Sequence, residues 1–258
     1  MRLPVSASAI FRLLKAMEAS SRADHVLAVG GEVKAGAVLR RQLFRGGADP
    51  AAVRLGGPEG ADAYVHVLRG EVTAEDEAQL RRARRSRVPT IAVAVGMEPD
   101  QVPYVLATDI VCVAEGQAFP LAEIARVLAV RIGERGAPLA GRIPLLRDPV
   151  CDELVTVSAR RNAVIGAAVW GRRADFPALV LNELRLVLRL AQAHGQKSGS
   201  ERIPEIAATV GLGFGLRAIA DELRYLFPVA RWLVKGGVAF AGTRAVGEAA
   251  RKRFELAA

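Results

Sequence analysis

Apolar positions along the chain alternate between two periods. Over the first half, short apolar runs are separated by glycines and by stretches of helical spacing. His25–Val29, Val53–Leu55, Ala63–Leu68 (AYVHVL), Thr90–Val95 (TIAVAV) and Asp109–Ala114 read as strands. Between them, Leu39, Leu43 and Phe44 recur at helical spacing. Thr73-Ala74-Glu75-Asp76 is a capping box that opens a helix to about Ser86. Pro120–Arg135 carries Leu121, Ile124, Leu128 and Ile132 on one face. Strands alternating with helices imply βαβ units, hence a small doubly wound, mostly parallel sheet of the α/β class.

Ahead of this region, residues 6–22 form an amphipathic helix with Ile10, Leu13, Leu14 and Met17 on its apolar face. It is expected to pack on the α/β domain that follows. After Ala137 no strand period remains, and an all-α helical domain is expected. Pro144–Trp170 reads as helix, Gly171–Ala174 as a turn, and Asp175 as the cap of Phe176–His194. On that last helix Asn182, Arg185, Arg189 and Gln192 share a narrow polar stripe, so most of its circumference is buried. Residues 202–255 close with glycine-rich helices interrupted at Pro228. Gly211, Gly213, Gly215, Gly236, Gly237 and Gly242 there imply close helix approach, since each glycine costs roughly 1 kcal/mol against alanine in a helix. The boundaries expected are 1–22 for the N-terminal helix, 23–136 for the α/β domain and 137–258 for the helical domain.

The candidate chemistry lies just after the first strand. Gly30-Gly31 and Gly36 flank Glu32-Val33-Lys34-Ala35, and Gly31 and Gly36 have the separation of a phosphate-binding loop, G-x-x-x-x-G-K-[ST]. Ala37 stands where the lysine belongs and Val38 where the magnesium-ligating hydroxyl belongs. Gly31, Lys34 and Gly36 are therefore the remnant of a phosphate loop over residues 31–38, and the plain alternative is a tight strand-to-helix turn. No catalytic residue, metal set or cofactor can be named. His25, His66 and His194 are far apart, and a lone strand histidine is usually a packed residue.

Charge and cysteine content narrow the picture further. The net charge is +9; residues 1–150 carry 20 basic and 17 acidic residues, residues 151–258 carry 16 and 10. The excess thus sits in the helical half, which suits an acidic protein partner or an anionic membrane surface, or equally a plain solvated basic surface. Apolar helices of this kind also suit pairing with a second copy of the chain. The basic run Arg81, Arg82, Arg84, Arg85 and Arg87 lacks interleaved aromatics and ends a helix that starts acidic, which favours a solvated face over nucleic acid. Two cysteines make no disulfide framework and fit a cytoplasmic protein. No stretch reaches the length of a membrane span.

Several segments carry a family resemblance. NAVIGAAVW, ADFPALVLNELRLVLRLAQAHG, VGLGFGLRAIADEL and PVARWLVKGGVAFAGTRAVGEAA, spread over residues 145–258, resemble the helical family of unknown function numbered 697. In that family the helical domain often follows an Era-like GTPase domain. The resemblance implies that residues 23–136 are a degenerate GTPase domain. Against that class, the loop lacks its lysine and hydroxyl, no D-x-x-G follows a strand, and Gly96-Met97-Glu98-Pro99 replaces the guanine-reading N-K-x-D. The expectation is a non-catalytic pseudo-GTPase-like protein whose helical domain binds a protein partner or an anionic membrane surface, at the inner face of the membrane in the second case. The alternative is a nucleotide-binding protein or GTPase-like enzyme with an unorthodox phosphate loop.

Overall fold

The structure is a computed structural model; it describes residues 7–168, 176–196 and 231–256. The chain divides into two compact units: an α/β unit, Asp24–Val150, and a helical unit made of Met1–Ala23 with Cys151–Ala258.

The α/β unit is a five-stranded, wholly parallel sheet: β1 (Leu27–Gly31), β2 (Val53–Leu55), β3 (Ala63–Arg69), β4 (Thr90–Val95) and β5 (Ile110–Val113), in the order β2-β1-β3-β4-β5. Its helices are α2 (Val33–Arg45), α3 (Ala74–Arg85), α4 (Leu121–Ile132) and α5 (Ala137–Arg142). The order is one of the two common doubly wound patterns, and its topological switch point lies between β1 and β3. Both faces of a parallel sheet are covered, which is why β3 and β4 are nearly continuous apolar runs. All of Ala63–Leu68 and Thr90–Ala94 are buried. On one face Tyr64, Leu68, Ala92 and Ala94 pack against Leu80 and Ala83 of α3. On the other, α2 lies close enough that a Cβ on Gly36 would stand 3.6 Å from Val29 Cγ1.

The α/β unit runs to Val150, fourteen residues past the boundary read from the sequence. Gly133–Gly136 turns the chain without ending the unit. Leu139, Ala140, Ile143 and Leu146 are all buried. Arg142 reaches back to Asp49 Oδ2 with Nε at 3.0 Å and Nη2 at 2.9 Å, and its Nη1 donates to the His25 carbonyl at 2.9 Å.

The helical unit contains α1 (Ala7–Arg22), α7 (Phe176–Ala193), α8 (Arg231–Leu256) and most of α6 (Arg147–Ala168). The N-terminal helix belongs here and not with the α/β domain that follows it. Met17 packs on Leu184 and Leu188 of α7, with Leu13 and Leu14 beside it. Gln192 of α7 also donates to the Met17 carbonyl at 3.0 Å and to Ser21 Oγ at 2.9 Å. A polar-stripe residue of α7 is thus the anchor for α1.

Small residues on α8 act as the spacing suggests. A Cβ on Gly247 would lie 2.7 Å from Val155 Cγ2, and one on Gly236 3.2 Å from the Ala163 carbonyl oxygen. The two glycines are three turns apart, so one face of α8 presses on α6 at both. Gly211, Gly213, Gly215, Pro228, the turn Gly171–Ala174 and the cap Asp175 lie outside the described residues. Among the described residues no helix is long and apolar enough to cross a membrane.

Candidate functional site

In a doubly wound sheet ligands enter beyond the carboxyl ends of the strands, at the switch point. Here that place is bounded by the ends of β1 and β3. β1 finishes with Gly30 and Gly31, and both must be glycine. A Cβ on Gly30 would stand 2.2 Å from the Tyr64 hydroxyl. Gly31 has φ +86°, and a Cβ there would stand 2.0 Å from the Val67 carbonyl oxygen. The next residue, Glu32, donates its N–H to that same carbonyl at 2.8 Å, and helix α2 begins at Val33.

Of the two readings of residues 31–38, the geometry here is the tight strand-to-helix turn. One residue, Glu32, joins strand to helix. Gly31 ends the strand, Lys34 lies in the first helical turn with its side chain exposed, and Gly36 is buried inside the helix. The glycine separation matched a phosphate loop for a different reason: Gly31 permits close strand approach and Gly36 permits close helix-on-sheet packing.

Glu32 then takes the position an anion would use. A helix N-terminus offers unpaired N–H groups and a partial positive charge, which is what binds phosphate in such folds. At α2 these N–H groups already have a partner. Glu32 Oε2 accepts from Ala35 N at 2.6 Å and Oε1 from Lys34 N at 3.0 Å. The bond from Ala35, then that from Lys34, holds the Glu32 carboxyl below the usual carboxylate range. The α3 N-terminus is closed in the same manner. Thr73 and Asp76 form the predicted capping box, with Asp76 N donating to Thr73 Oγ1 at 3.2 Å and Thr73 N to Asp76 Oδ2 at 3.0 Å.

Below that cap lies a buried polar chain that sequence reasoning missed. His66 Nε2 is 2.9 Å from Asp76 Oδ1, and its Nδ1 is 2.6 Å from the Tyr64 hydroxyl, which is also 2.6 Å from Gln79 Oε1. Burial lowers the His66 pKa against the pull of Asp76, so the ring is neutral at neutral pH. Nε2–H then donates to Asp76, and the single Tyr64 hydroxyl proton is shared between Gln79 Oε1 and His66 Nδ1. Burial, and after it the Asp76 charge, pushes the Tyr64 phenol well up, so it stays protonated. Burial also works against the Asp76 carboxylate, but bonds from Thr73 and His66 outweigh it and hold the pKa low. A His–Asp–Tyr chain has the components of general base catalysis, yet a base must reach its substrate. His66 and Tyr64 are both 0% exposed. The chain ties α3 to β3 beneath the surface. Its signal in the sequence was the period-2 placement of Tyr64 and His66 on one strand face, above the Asp76 of a capping box.

At the other end of the same edge, β4 is followed by Gly96. It has φ +65° and donates its N–H to the Val113 carbonyl at 2.8 Å. Glu115 leaves the end of β5 and meets Arg69 of β3 at 2.7 Å, an exposed pair of little energetic weight. Among the described residues no group of three or more His, Cys, Asp or Glu is placed to hold a metal ion. The arginine run is dispersed. Arg82 pairs with Glu59 at 2.7 Å, Arg81 with Glu77 at 3.4 Å and with the Tyr104 hydroxyl at 3.2 Å, and Arg84 and Arg87 turn elsewhere.

A second buried polar cluster lies in the helical unit. Asn182 Nδ2 donates to Asn162 Oδ1 at 2.8 Å and to the Ser158 carbonyl at 3.1 Å, and Asn162 Nδ2 donates to Thr243 Oγ1 at 2.7 Å. Glu183 stands beside Thr243, and burial pushes its carboxyl up to about 7 against the opposing bond from that threonine. These side chains fix α6, α7 and α8 to one another.

Compared with protein-family models, with characterised proteins and with solved structures, the chain matches none.

Proposed function

We propose that the α/β unit is a non-catalytic, GTPase-derived scaffold and that the helical unit carries the binding role, toward an acidic protein partner or an anionic membrane surface. The observation behind the first half is the Glu32 carboxylate on the N–H groups of Lys34 and Ala35. A phosphate brought to that helix end would meet a negative charge in place of free donors. No lysine or hydroxyl stands in the two positions after Gly36 to offset the repulsion, since these are Ala37 and Val38. The second half rests on the resemblance of residues 145–258 to the helical family and on the basic excess of residues 151–258.

Titrating the full chain with fluorescent guanine and adenine nucleotides, with and without magnesium, tests the first half. No saturable magnesium-dependent binding is expected. Micromolar binding that requires magnesium and disappears on Glu32-adjacent substitution at Gly31 would favour the nucleotide-binding reading instead. Co-sedimentation with vesicles of neutral lipid alone, or with added anionic lipid, separates membrane docking from a protein partner. Recovery of the chain in the supernatant under both conditions removes the membrane.

A further inference from the structure

We propose that the α/β unit binds a phosphorylated small molecule with a flat apolar body, in a cavity at the amino-terminal edge of the sheet. That edge is opposite the one where phosphate-loop chemistry would lie. The cavity has a volume of about 530 Å³, within the usual range for small-ligand sites. It is bounded by the end of α3, the start of β4, the segment before β5 and the end of α4. Four arginines line it, Arg84, Arg87, Arg131 and Arg135, against one carboxylate, Asp109. That carboxylate is engaged by Arg131 at 3.4 Å. The guanidinium groups of Arg84, Arg87 and Arg135 make no hydrogen bond or ion pair among the described residues.

Arginines near helix C-termini are ordinary, because they complement the helix dipole. Three further observations separate this cavity from that case. First, the only two non-glycine residues with positive φ among the described residues are Arg87, at +54°, and Tyr104, at +64°. Both line this cavity. Left-handed backbone at bulky residues is strained and concentrates at ligand sites. At the end of a helix such a position is normally glycine. Arg87 occupies it after α3, where Arg87 N bonds to the Arg84 carbonyl at 3.2 Å and Val88 N to the Ala83 carbonyl at 3.0 Å. Second, Tyr104 is held from outside the cavity. Arg81 donates to its hydroxyl at 3.2 Å, and its guanidinium lies 5.3 Å from the ring centroid. The ring is thus fixed without help from a cavity group. Third, apart from Thr90 the rest of the wall is apolar, with Leu80, Val88 and Leu106 among its members.

Guanidinium groups that make no other bond suit a group with several acceptor oxygens, and a phosphate monoester supplies three. The apolar wall and the fixed tyrosine suit an aromatic or similarly flat body. An extended nucleic acid fits less well, since the neighbouring Arg81 and Arg82 are already paired on the outer face.

Calorimetric titration of the full chain with 1-naphthyl phosphate, inorganic phosphate and 1-naphthalenemethanol tests the proposal. Naphthyl phosphate is expected to bind at least tenfold more tightly than inorganic phosphate, with the neutral alcohol giving no binding. The exposed double substitution Arg84→Gln with Arg135→Gln should weaken naphthyl phosphate at least tenfold. Arg85→Gln, on the same helix but outside the cavity wall, should leave it unchanged. Circular dichroism of each variant controls for folding. Absence of binding to naphthyl phosphate at 1 mM overturns the proposal, as does full affinity in the double variant. Equal affinity for inorganic and naphthyl phosphate refutes the apolar body. Binding of a glutamate decamer with none of naphthyl phosphate assigns the arginines to an acidic chain and overturns it too.

Discussion

Replacing Glu32 by alanine tests the assignment of its carboxylate as an internal occupant of the α2 N-terminus. The change removes an acceptor for two N–H groups, at 2.6 and 3.0 Å, and a negative charge at the positive end of the helix. Loss of an N-cap acceptor costs about 0.5–2 kcal/mol, with the helix-dipole contribution included at this partly exposed position. A central value of about 1 kcal/mol lowers the melting temperature of a unit this size by about 4 °C. The dependence on pH gives the reasoning its discrimination. The folded Glu32 pKa lies below the ordinary value of 4.5, so the unfolded chain binds the proton more readily. The cap's contribution is complete above pH 4.5 and is lost as pH falls through the folded value. Urea unfolding followed by far-ultraviolet circular dichroism, at pH 7 and at pH 3, should therefore show a difference between wild type and Glu32→Ala that shrinks on acidification. Sulfate should stabilise the variant more than the wild type at pH 7, since the vacated N–H groups can then take an external anion. Equal stability of the two proteins at pH 7, or no differential effect of sulfate, refutes the assignment.

Three other substitutions probe separate parts of the argument. Gly31→Val should cost at least about 3 kcal/mol in urea unfolding, because it combines left-handed backbone with a Cβ 2.0 Å from the Val67 carbonyl oxygen; a loss under 1 kcal/mol would show that the strand ends can separate. Arg87→Gly should stabilise the α/β unit by about 0.5–1 kcal/mol, relief of the left-handed position exceeding the entropy of glycine, and weaken naphthyl phosphate; lower stability would remove strain as a reason for that residue. Glu183→Gln concerns the helical unit. With the folded pKa raised to about 7 from 4.5, the native state binds the proton more tightly, so the wild type loses stability as pH rises from about 4.5 to 7. Above pH 7 the variant should be more stable by roughly 2–3 kcal/mol and should lack that slope; parallel pH profiles for the two proteins would contradict this.

The sheet was legible because burial on both faces writes itself as unbroken apolar runs, as in Thr90–Val95, and because turn residues bound each run. The capping box at Thr73 was legible because its two side chains are local partners. The site was less so. A glycine spacing can serve a loop that cradles phosphate or a strand and helix pressed together, and the residue types at 31–38 do not distinguish the two until the helix start is known. Glutamate is not among the favoured N-cap residues, so nothing marked Glu32 as one. The reach of the α/β unit to Val150 depends on Arg142 and Asp49, whose bond spans 93 positions of sequence. The partner of α1 was hidden for a related reason. An apolar stripe states that a face is buried but not by what, and Gln192, which selects it, lies in a helix far along the chain.

The two edges of the sheet pose opposite electrostatic problems, and the side chains answer them differently. At the carboxyl edge the helix N-termini are positive and attract anions without help. Glu32 and Asp76 place carboxylates at two of them from within. At the amino edge the ends of α3 and α4 are negative, so an anion there is opposed by the backbone. Part of the charge on Arg84 and Arg131 is spent against those helix ends. Arg87 follows the end of α3 and Arg135 follows the end of α4, and they supply the surplus that a ligand can use. Affinity at that cavity must therefore come from guanidinium groups and apolar contact, against the opposing helix dipoles. Such a site is screened strongly by salt, because its arginines are exposed. Its ligand should accordingly weaken steeply between low and high ionic strength, while the apolar share of binding persists.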